Sequence, residues 1–175
     1  MKISFTAQFK PGDIVKLAKV KQQNLELAIV QRLEYIGESF VKDARENVSA
    51  PFKVYQDQTG NLRSSIGYVI IKDGHILKRN LNGKVTPRRK IYKRKKRSQQ
   101  MNEVLEGVDM AEKLIDKIIR KHSKGYCLIV VAGMQYAGYV ESKGYNVITM
   151  QGIETDNKVK KLIEDLKKFQ FKITN

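Results

Sequence analysis

The chain has 175 residues, 41% of them hydrophobic, enough for one domain built on its own core. No apolar run approaches 18 residues, which excludes a membrane-spanning helix, and a single cysteine, Cys127, excludes an internal disulfide. With 34 Lys and Arg against 18 Asp and Glu, the net charge of +16 calls for anionic company: nucleic acid, an acidic protein surface or plain solvent.

Met1 to Phe9 alternates apolar and polar residues, with Met1, Ile3, Phe5, Ala7 and Phe9 on one side. That period of two predicts a half-buried strand, and the segment lacks the continuous apolar stretch of a signal peptide. Pro11-Gly12 closes the strand and Asp13 is placed to cap a helix. Leu25, Ile29, Leu33, Ile36, Phe40, Ala44 and Val48 then recur at steps of three and four, one long apolar stripe. Ile14, Leu17 and Ala18 extend it backwards, so Asp13 to Ser49 is either one helix of roughly 55 Å or two shorter ones broken near Lys21 to Asn24. A single helix of that length outruns a small domain's core, and part of it is expected to pack on a neighbouring subunit.

Ala50-Pro51 ends the helix, and Thr59 can cap a short helical turn holding Leu62, Arg63 and Ile66. Arg63 reads either as an anchor for backbone or a neighbouring subunit, or as a solvated side chain. Gly67 to Lys72 is apolar and β-branched, a strand; Asp73-Gly74 is a hairpin turn; His75 to Lys78 starts the return strand.

The charge is then concentrated. Residues 78–102 hold 11 of the 34 basic residues and no acid, so the remaining 23 against 18 leave only +5 for the rest. Within 84–97 lie Lys84, Arg88, Arg89, Lys90, Lys93, Arg94, Lys95, Lys96 and Arg97. The stretch has no apolar periodicity and contains Asn82-Gly83 and Pro87, which predicts an exposed basic loop or β-arm over about 79–101.

Met101, Val104, Leu105, Val108, Ala111, Leu114, Ile115, Ile118, Ile119 and His122 predict a second amphipathic helix, stopped by Gly125. Its other face carries Glu103, Glu106, Asp109, Glu112 and Asp116, read as a solvated face rather than paired catalytic acids. Cys127 to Ala132 reads as a central strand. Tyr136, Tyr139 and Val140, spaced i, i+3, i+4, share one side of the short helical turn that follows. Asn146 to Met150 reads as a strand, Asp156 as the cap of a last helix bearing Val159, Leu162, Ile163 and Leu166, and Phe169, Phe171 and Ile173 as a final strand. The whole is an α+β domain over 1–175, helices covering one face of a largely antiparallel sheet.

The motifs of catalysis are missing. There is no Gly-rich phosphate loop with Lys-Ser/Thr, no Gly-x-Ser-x-Gly, no Cys-x-x-Cys, and the two histidines, His75 and His122, are isolated. The reading is a non-enzymatic protein without cofactor or metal.

Two stretches resemble a known family. Thr59, Gly60, Leu62, Arg63, Ser65 and Ile66 form one, and Tyr136, Ala137, Tyr139, Val140 and Glu141 the other. In order, separation and the long helix before them they resemble the tail-completion, or head–tail joining, proteins of tailed bacteriophages. After Glu141 that family often has Gly-Thr and then Pro-Phe, whereas this chain has Ser142-Lys143-Gly144-Tyr145 and no proline beyond Pro87. The resemblance implies a structural virion protein, made in the host bacterial cytoplasm, that forms a homo-oligomeric ring at the head–tail junction against portal, neck and tail proteins. Leu62, Arg63, Tyr136, Tyr139, Val140 and Glu141 would then serve the oligomer or partner interface. The nine basic residues of 84–97 would meet packaged double-stranded DNA or an acidic neighbour. The alternative is a nucleic-acid-binding protein of another kind, using 84–97 as a sequence-independent phosphate clamp.

Overall fold

The structure, a computed structural model, describes residues 10–48, 60–81, 97–122 and 124–173. The expected N-terminal strand, the Thr59 cap and eight of the nine basic residues of 84–97 lie outside the described residues. For Arg97 the backbone is described and the side chain is not.

Among the described residues eight elements follow one another: α1 (Pro11–Val48), α2 (Asn61–Ser64), β1 (Ile66–Lys72), β2 (His75–Asn80), α3 (Arg97–Ile119), β3 (Tyr126–Ala132), α4 (Ala137–Ser142) and α5 (Thr149–Ile173). The fold is α+β. Among the described residues the strands form one antiparallel sheet in the order β2-β1-β3, with β1 between the other two. The hairpin between β1 and β2 turns on Asp73 and Gly74, both with positive φ (50° and 79°), the geometry that Asp-Gly supplies at little steric cost.

Helices cover both faces of this sheet, not one. Tyr68 and Ile70 of β1 point to a cluster containing Leu33, Ile36 and Phe40 of α1, Val140 of α4 and Leu162 of α5. Val69 and Ile71 point the other way, to Ala111 and Ile115 of α3. Alternate residues of a strand face opposite sides, so a strand apolar at every position is buried twice over. From Ile66 to Ile71 every β1 residue is buried. Each such aliphatic side chain contributes about 1.5–3 kcal/mol by leaving water.

α1 is one unbroken helix of 38 residues, about 57 Å long. Pro11 opens it, a position whose missing N–H costs nothing there. Only its second half meets the core: Leu33, Ile36, Phe40, Val41 and Ala44 are buried. α5 lies antiparallel along that half. The side-chain amide of Asn47 reaches the Asn146 carbonyl at one end, and Lys158 Nζ donates to Ser39 Oγ at 3.0 Å further along.

The C-terminal third departs from expectation. Asn146 to Met150 is a bend entering α5, not a strand; Asp156 lies inside α5 rather than at its start; and Phe169 to Ile173 remains helical. Val147-Ile148-Thr149 is β-branched and favours a strand in isolation, but here the backbone N–H groups of that run are taken by a carboxylate (below). Helical spacing from Leu162 and Leu166 through Phe169 to Ile173 outlasts the alternation read there. α3 also starts earlier than expected, so Arg97 to Met101 belongs to a helix and not to the basic arm, while Arg79 and Asn80 belong to β2. Gly125 does not stop α3. It has φ 74° and stands at the entry to β3, its N–H donating to Asp73 Oδ1 at 2.8 Å.

α3 approaches α2 at Gly107, where a Cβ would overlap Ser64 Oγ and the Asn61 carbonyl oxygen. Gly152 in α5 faces open space. Gly107→Ala is therefore expected to destabilise by about 1–3 kcal/mol through overpacking. Gly152→Ala should stabilise by up to about 1 kcal/mol through helix propensity. Urea denaturation of the two variants checks this; similar shifts in both would contradict the α3–α2 packing.

Candidate functional site

The segments 60–66 and 136–141 meet at one end of the sheet. β1 and β3 pair throughout, from Lys72 with Tyr126 to Ile66 with Ala132. Beyond that last pair Ser65 continues the connection. Its carbonyl accepts the Gly133 N–H at 3.1 Å, and its hydroxyl oxygen accepts the Met134 N–H at 3.3 Å, across 69 residues of sequence. The chain then turns into α4, whose Ala137 and Val140 join the same cluster as Leu62 and Ile66.

The first segment is rigid because its polar groups are used inward. Gly60 precedes α2 with φ 84°, a left-handed conformation that suits glycine, and no side chain caps α2. Ser64 Oγ donates to the Asn61 carbonyl at 2.9 Å and Ser65 Oγ to the Leu62 carbonyl at 2.8 Å. Arg45 of α1 closes the turn from outside, Nε donating to the Arg63 carbonyl at 3.0 Å and Nη2 to the Ile66 carbonyl at 2.9 Å. Burial lowers the pKa of this guanidinium; Glu38 opposes that shift and the charge of Arg63 adds to it. Arg45, which the sequence did not single out, anchors the backbone of this turn. Arg63 itself is buried, which overturns the solvated reading of that side chain.

The second segment carries its own device. Glu141 was expected to meet a basic neighbour. Instead its carboxylate accepts the backbone N–H groups of Val147 (2.8 Å) and Ile148 (3.1 Å), which lead into α5, and of Thr149 (3.2 Å), an orphan donor of its first turn. Asn146 Oδ1 adds a bond from the Met150 N–H at 3.0 Å. Partial burial pushes the Glu141 pKa up, but the hydrogen bonds from the Thr149 side chain and the three amides outweigh it, and the carboxyl lies below its ordinary range. The positive end of the α5 dipole favours the same charged form.

Of the six residues expected at an interface, the structure leaves one on the surface. Leu62 and Val140 are core, Tyr136 is half-buried against the same cluster, and Glu141 is engaged. Tyr139 is 65% exposed, with Lys143 Nζ 5.4 Å from its ring centre. The shared side expected for Tyr136, Tyr139 and Val140 splits because positions i and i+4 turn inward together while i+3 is left on the solvent flank. The turn's N-cap, Tyr136, makes no side-chain capping bond.

Other features of the described residues show no catalytic arrangement. No group of three or more His, Cys, Asp or Glu is placed to hold a metal ion. Burial raises the Cys127 thiol pKa, away from the thiolate needed for nucleophilic chemistry. Tyr68 is likewise pushed up by burial and by donating to Glu38 Oε1 at 2.9 Å, which keeps the phenol protonated as a structural donor. No helix of the described residues is long and apolar enough to cross a membrane.

Comparison with family models, curated proteins and solved structures finds no match for this chain.

Glu141→Gln should cost about 0.5–2 kcal/mol at neutral pH, the range of a lost helix cap. Because the folded-state pKa is depressed, the carboxylate's contribution is present above the ordinary glutamate range and is lost as pH falls through the folded value. Melting curves of the two proteins should therefore differ at neutral pH and converge as pH falls below the folded-state value, which lies under the ordinary glutamate range. A gap that stays constant with pH would mean that Glu141 acts by packing alone.

Proposed function

We propose that this chain is a structural protein of a tailed-phage virion, one subunit of a homo-oligomeric ring that joins head to tail at the neck. The observation that carries the reading is the meeting of the two segments resembling tail-completion proteins. Although far apart in sequence, they are tied at Ser65 into one rigid corner. That corner presents Tyr139, an aromatic ring held at 65% exposure on a short helix. Aromatic residues are enriched at protein interfaces, where a rigid ring gives area at low entropic cost. The first half of α1 supports the same reading, since it extends past the core with apolar side chains in water.

In this role the protein performs no reaction. Its work is to fix the relative positions of neighbouring subunits and partners, and a preorganised corner does so with less ordering cost than a loop. The partners are further copies of the chain, portal or neck proteins on one side and tail proteins on the other. The basic segment 84–97 would meet DNA in the channel or an acidic neighbour.

Tyr139→Ala tests the corner. Monomer stability should shift by no more than about 0.5 kcal/mol, as for an exposed side chain. Phage bearing the variant, or a null allele, should accumulate filled heads and separate tails, counted by electron microscopy. Normal joining with the null allele would refute the head–tail reading. A large loss of stability in Tyr139→Ala would mean that the ring supports the core.

The second reading, a phosphate clamp, is favoured by the nine positive charges in 84–97. Engaging about half of them would give log affinity for duplex DNA a slope near −4 against log salt, with no preference for sequence. Deleting 84–97 should flatten that slope. DNA binding as weak before the deletion as after it would assign the segment to a protein partner or to solvent.

A further inference from the structure

α1 has two different halves. From Leu33 onwards its apolar side chains are 0–6% exposed at Leu33, Ile36, Phe40, Val41 and Ala44. In the first half Leu17, Val20 and Leu27 are 50–57% exposed, although their spacing, with Asn24, repeats at three and four residues. That spacing makes one stripe along a helix, and Lys16 and Lys21 fall on its two flanks at 100° per residue. All of these side chains are exposed. The stripe is built like a helical ligand: aliphatic along the middle, basic along both edges.

A receptor of opposite character lies elsewhere on the same chain. Between β2 and α3 is a cleft of about 70 Å³, walled by Ile76, Leu81 and Ile115, with Glu112, Asp116 and one cation, Arg79, around it. Its size suits one branched aliphatic side chain. Ile76 is 46% exposed there. Asp109, Glu112 and Asp116, again three and four apart, run along the adjoining side of α3; Asp109 and Asp116 are exposed, and Glu112 shares its charge with Arg79 at 3.3 Å. Lys113 and Lys117 occupy the next flank of the helix, so the acidic side is a strip and not the whole surface.

The two surfaces belong to opposite faces of the sheet. α1 packs on the Tyr68 and Ile70 side, and α3 on the Val69 and Ile71 side. Within one copy they cannot meet; between two copies they can. A contact that joins two different surfaces is heterologous, and repeated with a fixed rotation it closes a ring. Two chains of charge +16 repel each other at long range, so self-association needs local charge complementarity, which this pairing provides.

We infer that the first half of α1 of one copy docks its Leu17–Val20 stripe in the acidic-rimmed cleft between β2 and α3 of the next copy. This rests on the ring proposed above and names the surfaces that build it.

The test is charge reversal and rescue, read as self-association by sedimentation velocity of the full chain at low salt. Lys16→Glu with Lys21→Glu should weaken association roughly tenfold or more, because acid then faces acid. Asp109→Lys with Asp116→Lys should do the same from the other side. Mixing the two doubly substituted proteins restores complementarity at every contact and should restore association. Leu17→Asp should abolish it without any change of net surface pattern elsewhere. Helical content and melting temperature should match wild type in each case, since all these side chains are exposed. Association that survives the reversals, a mixture that fails to recover, or a wild-type chain that stays monomeric would overturn the inference. Reversal variants that still form rings in virions would overturn this interface and leave the head–tail reading standing. Absence of the wild-type protein from virions would remove the ring on which both depend.

Discussion

The constraint on which the rest depends is the double burial of β1. A strand with helices on both faces must be apolar at every position, and it can pair only with strands whose register is fixed by both layers. Ile66 to Ile71 meets that demand, and the two clusters it separates hold α1, α4 and α5 on one side and α3 on the other. Because β1 also pairs with β3 to its last residue, the turn before β1 and the helix after β3 are brought together as a consequence of register. Ser65 adds two bonds at that point, but the sheet determines that there is a corner to bond.

The corner then divides its residues by task. Those that face inward, Leu62, Ile66, Ala137 and Val140, contribute apolar burial. Those with polar atoms are spent on backbone: Arg45 on the carbonyls of Arg63 and Ile66, Glu141 on the amides that open α5. Capping α5 in this way fixes the direction of a 25-residue helix from a six-residue one, and α5 in turn backs the second half of α1. Rigidity is thus passed from the corner to the long helix, whose first half extends past the core.

Much of this was legible in the sequence where periodicity was long or chemistry was local. The three-and-four stripe of α1 and the Asp73-Gly74 hairpin needed only their own residues. What was not legible depended on partners distant in sequence. Val147-Ile148-Thr149 has the composition of a strand, and only a carboxylate six to eight residues earlier makes it a helix start. Cys127 to Ala132 has the apolar content of a central strand, yet the neighbour on its far side cannot be read from its own residues. The inward use of Glu141 and the anchoring of backbone by Arg45 escaped for the same reason: a charged side chain near a motif says nothing about which carbonyls or amides the fold will bring to it. The exposed first half of α1 was foreseeable from its length alone, because about 57 Å of helix exceeds what a three-stranded sheet can cover.

The central claim is that a rigid corner and a projecting helix make this chain a ring-forming joint at a phage neck. Electron microscopy of virions with density assigned to this protein tests it most directly. The account predicts a closed ring of identical subunits between head and tail, with Tyr139 at a contact and the first half of α1 covered by a neighbour. Density found elsewhere in the particle, or a protein absent from the particle altogether, would contradict it.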